Sequence, residues 1–454
     1  MADGHGQRWR RPKRQVWLDG VTKRRLGLLL KHNPVYSLTR ILKELKKTLS
    51  KQALPRFKQL LVVDGETLLQ RQVRLLKRHG VSEIYIASSN PEIEAEGAIR
   101  YTPINNLYEI DRFSSSSGLW NTEGETLYIY GDVYYTDLAM NVICALSARD
   151  WLWFGRPHPS FIPEHGDPEV FAFRFQPQCH QFIMDNIDRV RTEYIEGRHH
   201  RCIGWDLMRS LAGLPLSSPE LPANQFVEIS DITTDFDTLI EYQSWVAFYE
   251  KARPTQVFVE LNDILKKFNI NKCGVIHVGS HICRELEFYK DFKSVCLIDA
   301  NPLLGPFLEF ASQWNSRIET FNCAVDEHEK KMDFFLTEYE QASSLLYPFE
   351  HSMKSKVSVR TTPLRVLQDN QNVLVIDVQG AELRVLRSAN LDPVELIVCE
   401  VNDRQRYEGA ATSEELVEFI SRAGFEFFKK YPHGNYGISD HVFVRRVNSS
   451  GTSR

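Results

Sequence analysis

Short apolar runs alternate with stretches of helical period along most of this chain. The first series opens at "QVWLDG" and continues to about residue 251. Within it, "LPRFKQLLVVDGETLLQRQVRLLKRHGVSEIYIAS" (54–88) reads as strand, turn at Asp64-Gly65, amphipathic helix, stop at Gly80, and strand again. "ARPTQ" then breaks the pattern, and the helical stretch "VFVELNDILKKFNI" leads into a second series from "CGVIHVGS" to "HVFVRR". Strands alternating with helices predict an α/β fold with mostly parallel sheets in both halves. The expected domains are 15–251 and 257–447, with a basic tail at 1–14 and a polar tail at 448–454, both expected to be disordered.

Composition narrows the classes. The chain has 454 residues, 43% hydrophobic and 25% charged, with net charge −4, so no global basic field argues for nucleic acid. Its eight cysteines form no C-x-x-C pair, which suggests buried thiols in a reducing, cytoplasmic setting. No run approaches the ~18 apolar residues of a membrane helix, and "MADGHGQRWRRPKRQ" has charge without the apolar core of a signal peptide. "SLTRILKELKKTLSKQ" (37–52) puts a basic face on a helical pattern. It reads as a solvated surface helix, or as a contact with anionic membrane or a phosphate-rich substrate.

Ligands in parallel sheets bind at the carboxyl ends of strands, so polar residues directly after apolar runs are the first candidates. In the second half, "GVIHVGSHICRELEFY" predicts a strand carrying His277, a turn at Gly279, then a helix. "SVCLIDANP" ends in Asp299, an acid placed to accept hydrogen bonds from ribose hydroxyls. "FNCAVDE" ends in Asp326; "VLVIDVQGAELRVL" brings Asp377, Gln379, Gly380 and Glu382; "VELIVCEV" brings Glu400. Four strands thus each deliver a carboxylate, expected at one edge of the sheet.

These stretches, together with "ASSLL" (342–346) and "VCEVNDRQRYEG", resemble the FkbM family of S-adenosylmethionine-dependent methyltransferases. The resemblance implies a Rossmann-like domain with the methyl donor over His277 and Gly279. It puts Asp299 on the donor's ribose, Asp326 near the adenine and Asp377 by the sulfonium. Ser343, Gln379, Glu382 and Glu400 then shape the acceptor side, and Asp377 or Glu382 takes the acceptor's proton, with His351 a weaker candidate. One departure is visible: such turns usually carry a second glycine, where this chain has His281 and Cys283.

In the first half, a Pro-x-x-Lys ending in Lys58 precedes a strand, and "GETLYIYGDVYYT" ends its apolar run in Gly131-Asp132. "FVEISDITTDFDTLIEY" places Asp231 after a strand, with Thr234 opening a T-x-x-D cap in which Asp235 and Asp237 serve as cap residues. An acid at a strand's carboxyl end is a plausible magnesium ligand beside phosphates. "VVDGETLLQRQ", "YGDVYY" and "SDITTDF" resemble the sugar-phosphate nucleotidyltransferase family, which includes glucose-1-phosphate and choline-phosphate members. The resemblance implies a second Rossmann-like domain that joins a phosphorylated small molecule to a nucleoside triphosphate, with CTP favoured. Mg2+ would sit on Asp132 and Asp231. Lys58 and Arg24 would stabilise the transferring phosphate, Gly20 would lie in the triphosphate loop "VWLDGVTKRRL", and Arg156 in "WFGRPHPS" would grip the second substrate. "GRHHRC" (197–202) reads as a surface loop. The two resemblances together imply a bifunctional transferase for bacterial surface glycan synthesis. The alternative is an active methyltransferase with a non-catalytic substrate-binding first half.

Overall fold

The computed structural model describes residues 57–104, 107–158, 162, 167–434 and 436–446. Gly20, Arg24, the basic segment 37–52 and both tails lie outside the described residues. Contacts divide the chain into two compact units, Met1–Phe248 and Tyr249–Arg454. Both are mixed α/β. No helix among the described residues is long and apolar enough to cross a membrane.

In the first unit, β1 (Val62–Val63) and β2 (Glu66–Thr67) form a hairpin. Asp64 and Gly65 turn it with φ of 51° and 78°, the two left-handed residues that a tight hairpin demands. Thr67 then accepts from the Gln70 amide and caps α1 (Leu68–Arg78). β3 (Tyr85–Ala87) and β4 (Ile99–Tyr101) pair in parallel. Next come β5 (Thr126–Ile129), β6 (Val133–Tyr134), α2 (Asp137–Ala145), β7 (Trp151–Arg156) and β8 (Glu169–Phe175). Helices α3 (His180–Ile195) and α4 (Gly204–Leu211) precede β9 (Phe226–Glu228), β10 (Thr234–Asp235) and α5 (Leu239–Lys251).

The pairing here is more mixed than the alternation predicts: in the order β5-β8-β7-β9, β7–β9 is parallel while β5–β8 and β7–β8 are antiparallel. No helix separates β7 from β8 among the described residues, so the chain can return beside itself in the opposite direction. Trp153, Phe171, Phe173 and Phe175 are fully buried in this sheet, with Trp153 stacked on Phe173 at 4.2 Å. The segment expected as a solvated loop is partly inside: His199 is buried against Asp206 at 3.2 Å, while His200 is exposed.

The second unit begins with α6 (Gln256–Lys267), followed by β11 (Gly274–Val278), β12 (Ser294–Asp299), α7 (Gly305–Gln313) and β13 (Ile318–Asn322). β14 (Ala324–Val325), β15 (Lys330–Thr337) and β16 (Met353–Thr362) form a separate three-stranded sheet. β17 (Val373–Ile376), α8 (Glu382–Ser388), β18 (Leu396–Asn402), α9 (Ser413–Arg422), β19 (Phe425–Pro432) and β20 (Ile438–Arg445) complete the unit. The main sheet has seven strands in the order β13-β12-β11-β17-β18-β20-β19. It is parallel from β13 to β18, and β20 is antiparallel to both its neighbours. This is a Rossmann-like sheet. Strands covered on both faces need apolar residues at every position, and all four residues of β17 are buried.

The chain runs outward from β11 to β12 on one side and returns to β17 on the other. That reversal opens a crevice at the carboxyl ends of β11 and β17. The register aligns Val278 with both Ile298 and Ile376, and Ile376 with Cys399, so the residues just beyond them share one edge. One expected element is missing. After Gly279 the chain makes only the short 3-10 turn Arg284–Glu287 instead of a helix. His281 and Cys283 take left-handed backbone, φ 46° and 38°, which a helix cannot contain.

Candidate functional site

A cavity of about 600 Å³ opens at that edge of the second unit, a size suited to a small molecule. The turn after β11, the ends of β12 and β17, and parts of β18 and β20 line it. Gly279 has φ +81°, and a Cβ there would lie 1.6 Å from the Asp377 carbonyl oxygen. The glycine expected to admit a ligand is therefore demanded by the chain itself, where the ends of β11 and β17 meet. Asp299 ends β12 and lines the cavity; it accepts from the amides of His281 and Asn301, both at 2.8 Å. Burial pushes its pKa up to about 6, against those two hydrogen bonds.

Asp377 lies one residue beyond β17. The Gln379 side chain, on a residue with φ 57°, donates to Asp377 Oδ1 at 2.6 Å and to Glu400 Oε1 at 3.0 Å. The Tyr407 hydroxyl donates to Gln379 Oε1 at 2.8 Å and fixes which way the amide points. One amide thus bridges two buried carboxylates, which explains why these residue types converge. Burial raises Asp377 to about 6, with the charge of Asp440 adding to it; Glu400 is raised well above the ordinary range by burial, then by Asp377, Glu382 and Asp440.

Two residues that sequence reasoning missed complete this end. Asp440 on β20 sits directly across from Glu400 on β18. His433 Nε2 lies 2.9 Å from Asp440 Oδ2, its Nδ1 lies 4.0 Å from Glu400 Oε2, and the Thr255 hydroxyl donates to Asp440 at 2.5 Å. Burial pulls His433 down, but Asp440 and Asp377 outweigh it and its pKa is raised. Like charges facing across a strand pair are destabilising in themselves. The pair is visible only once β20 is placed beside β18.

The other expected residues divide. His277, Ser343 and His351 line the cavity. The His277 Nδ1 faces the Tyr289 hydroxyl at 3.1 Å, and Ser343 Oγ accepts from the Thr337 amide at 3.2 Å. Asp326 is not among the lining residues. It follows β14, which belongs to the smaller sheet, and it pairs with Lys330 at 2.7 Å and Arg384 at 3.7 Å. Three of the four expected carboxylates, Asp299, Asp377 and Glu400, line the cavity, and Glu400 does so from within β18. Glu382 is also off the lining: its Oε1 accepts from the Gly380 amide at 2.8 Å, which anchors the turn into α8.

In the first unit, buried Lys58 is 2.7 Å from Asp237 Oδ1 and 3.7 Å from Asp132 Oδ2. Gln72 of α1 holds the Asp132 turn by donating to the carbonyls of Tyr130 and Val133 at 3.1 and 2.7 Å. Burial disfavours the Lys58 ammonium, but Asp237, Asp132 and Asp235 outweigh it and raise its pKa. Burial and the charge of Asp237 push Asp235 up to about 8.

Of the two acids expected to hold Mg2+, Asp132 faces Lys58, and Asp237 faces it as well. Asp231 is taken up by the Thr233 amide at 2.8 Å and the Thr136 hydroxyl. Arg156 donates to the Thr233 carbonyl at 2.9 Å, which places it with Asp231. The helix cap falls four residues later than expected, at Thr238 and Glu241, because Thr234 and Asp235 are spent on β10. That leaves the Asp237 carboxylate facing Lys58. The signal was present in "FDTLIEY", where Thr238 and Glu241 form a capping box.

Several of these acids hold protons that an unfolded chain has lost, so their sign with pH is definite. Glu382, raised by burial to about 7, and Asp235, at about 8, bind more protons folded than unfolded as pH rises above the ordinary carboxylate range. Their contribution to stability therefore falls as pH rises through these values. His277 and His281, lowered by burial to about 4, act oppositely, but only up to the ordinary histidine pKa of about 6.5. The thermal midpoint should accordingly drop between about pH 6.5 and 8.5 at constant ionic strength. A flat or rising profile in calorimetry would contradict these buried carboxyls.

The second unit is Rossmann-like, with its cavity at the sheet's reversal point. Residues 314–427, inside the second unit, match the family model described as the Methyltransferase FkbM domain. No curated protein matches the chain. Among solved structures, similarity extends to the Burkholderia thailandensis 1,6-didemethyltoxoflavin-N1-methyltransferase with bound 1,6-didemethyltoxoflavin and S-adenosylhomocysteine. That match has 14% identity, covers 48% of this chain and 95% of that one, and has TM-score 0.26. Magnesium protoporphyrin IX methyltransferase from Synechocystis PCC 6803 with bound SAM has 11% identity, coverage of 46% and 84%, and TM-score 0.28. Aeropyrum pernix fibrillarin with S-adenosyl-L-methionine has 11% identity, coverage of 38% and 67%, and TM-score 0.25. Likenesses this distant bear on neither substrate nor mechanism.

Proposed function

We propose that the second unit, residues 257–447, transfers a methyl group from S-adenosylmethionine to an oxygen or nitrogen of a small acceptor. The observation that carries this reading is the cavity at the sheet's reversal point, with Asp299 at one side and the Asp377–Gln379–Glu400 bridge at the other. The residues present suit such a donor: a carboxylate for ribose hydroxyls at the end of β12, and buried acids at the end of β17 beside a cationic centre. When bound, the donor supplies an electrophilic methyl. Asp299 orients the nucleoside, and Ser343, Gln379 and Glu400 shape the acceptor side. Asp377 accepts the acceptor's proton on its carboxylate, held in position by the Gln379 amide. His433, between Asp440 and Glu400, balances the acids left behind. Isothermal titration with S-adenosylhomocysteine tests the reading. One site per chain that weakens in Asp299→Ala supports it; no heat at saturating protein overturns it.

The cluster Lys58–Asp132–Asp237 favours a second activity in the first unit, residues 15–251. Here Asp132 and Asp237, with Asp237 replacing Asp231 in this role, hold Mg2+ through hard oxygens, a set of one or two carboxylates plus phosphate that suits this ion. Lys58, with Arg24, Gly20 and Arg156, holds the phosphates of a nucleoside triphosphate (CTP favoured) and of a phosphorylated sugar or alcohol, and pyrophosphate leaves. The two activities together would make a methylated, nucleotide-activated building block for a surface glycan. Lys58→Met tests the cluster directly. Removing the cation leaves buried Asp132 and part-exposed Asp237 without their counter-charge, so the variant should be less stable than the parent. Urea unfolding should show that loss, and added Mg2+ should recover more stability in the variant than in the parent. A variant as stable as the parent and indifferent to Mg2+ would discard the cluster. Absence of Mg2+-dependent pyrophosphate release in the parent, across the five common triphosphates, would reduce the first unit to a substrate-binding module.

A further inference from the structure

Three ligand-bearing side chains converge beside the turn that follows β11. His277, Cys283 and Glu285 each offer an atom, and these atoms all lie within 4.8 Å of one another. No other such group of three exists among the described residues. His277 and Cys283 are buried, Glu285 is half-buried, and all three line the cavity. His277 belongs to a rigid strand at the centre of the sheet, while Cys283 and Glu285 belong to the turn.

That turn is strained. His281 and Cys283 both have left-handed backbone, which disfavours any side chain with a β-carbon by roughly 1–3 kcal/mol each. Such a conformation persists only where surrounding contacts over-determine it. In the structure the Cys283 sulfur is 3.9 Å from His277 Nδ1. A tetrahedral zinc ion, with bonds of about 2.3 Å to sulfur and about 2.0–2.1 Å to nitrogen, sets that separation near ~3.6 Å. The two atoms need to close by only a few tenths of an ångström.

We infer that His277, Cys283 and Glu285 form a divalent-metal site of the zinc type, which pins the strained turn to β11 and leaves one coordination position open to the cavity. The mixed set of imidazole nitrogen, thiolate sulfur and carboxylate oxygen selects zinc-like ions over Mg2+ or Ca2+, which take oxygen ligands. Three protein ligands with a fourth position toward a cavity is the arrangement in which zinc holds a water or a ligand's own donor atom. Binding exchanges the thiol proton of Cys283 for the metal and releases it to solvent. Metal at Nδ1 of His277 also replaces the Tyr289 hydrogen bond; metal at Nε2 keeps it.

The test uses the full chain, stripped with chelator and titrated with Zn2+ and with Co2+, whose thiolate complexes absorb in the near ultraviolet. The expected result is one ion per chain and a cobalt–thiolate band. Cys283→Gly should abolish the band and weaken binding at least a hundredfold. That variant is expected to fold without metal, since glycine adopts the left-handed backbone freely. Cys273→Ser, which alters the exposed cysteine, should retain both band and affinity. No ion bound at micromolar concentration, or Cys283→Gly binding as tightly as the parent, overturns the site. S-adenosylhomocysteine titrated into the same samples separates this from the methyltransferase reading. Donor analogue bound without metal overturns the metal site alone; metal bound without donor analogue overturns the donor reading alone.

Discussion

Replacing Gly279 with alanine should unfold the second unit or lower its stability by more than about 4 kcal/mol, at the extreme of what single substitutions do. The added Cβ would sit 1.6 Å from the Asp377 carbonyl oxygen and 2.6 Å from its carbon. Neither side can yield cheaply. The Gly279 amide donates to the Ile298 carbonyl at 2.8 Å, and the Asp377 amide donates to the Val278 carbonyl at 2.9 Å. The clash is therefore between two pieces of backbone already fixed in the sheet. The φ of +81° adds strain of its own. Gly409 is the control: its φ is +73°, and an added methyl there would meet nothing within 4 Å, so Gly409→Ala should lose only about 1 kcal/mol. Urea unfolding of the two variants separates crowding from backbone strain. Equal losses would mean that the ends of β11 and β17 do not approach this closely.

Changing Asp377 to asparagine should reduce methyl transfer by about 10²–10⁴-fold, the range for removing a positioned general base. Donor-analogue binding should stay within a few-fold, because Asp299, proposed to orient the nucleoside, is untouched. The asparagine oxygen can still accept from Gln379, so the amide bridge to Glu400 survives. The same substitution should raise the thermal midpoint of the ligand-free protein at pH 8. There the Asp377 carboxylate, with its pKa raised to about 6, is ionised in a buried site beside Asp440. A raised acid gives up stability as pH climbs through its folded value, so removing it restores that part. For the parent protein, transfer should increase as pH rises through about 6, where this group becomes a base. A variant that keeps full activity would show that Asp377 takes no proton; a lowered midpoint at pH 8 would show that its charge is not destabilising.

Much of this was present in local sequence. The α/β alternation, the Asp64-Gly65 turn, and Asp299 and Asp377 at strand ends all follow from period, punctuation and turn chemistry acting over a few residues, as does Glu400 late in an apolar run. Other features depended on which strand lies beside which. Asp326 follows an apolar run like the others, but its two-residue strand joins the smaller sheet and carries it away from the edge. Asp440 gained meaning only from an antiparallel neighbour, β18, about forty residues earlier in the chain. In the first unit, the sequence favoured Asp231 and left Asp237 to a helix cap; β10 pairing with β6 moves the cap onward and leaves Asp237 beside Lys58. Cys283 was legible as a departure from a glycine pattern, but its approach to His277 was not. The physical division is that periodicity and caps act through neighbours in sequence, whereas strand order is decided by how the whole sheet buries its apolar faces. Local chemistry therefore determined which residues were available to a site, and tertiary pairing decided which of them met.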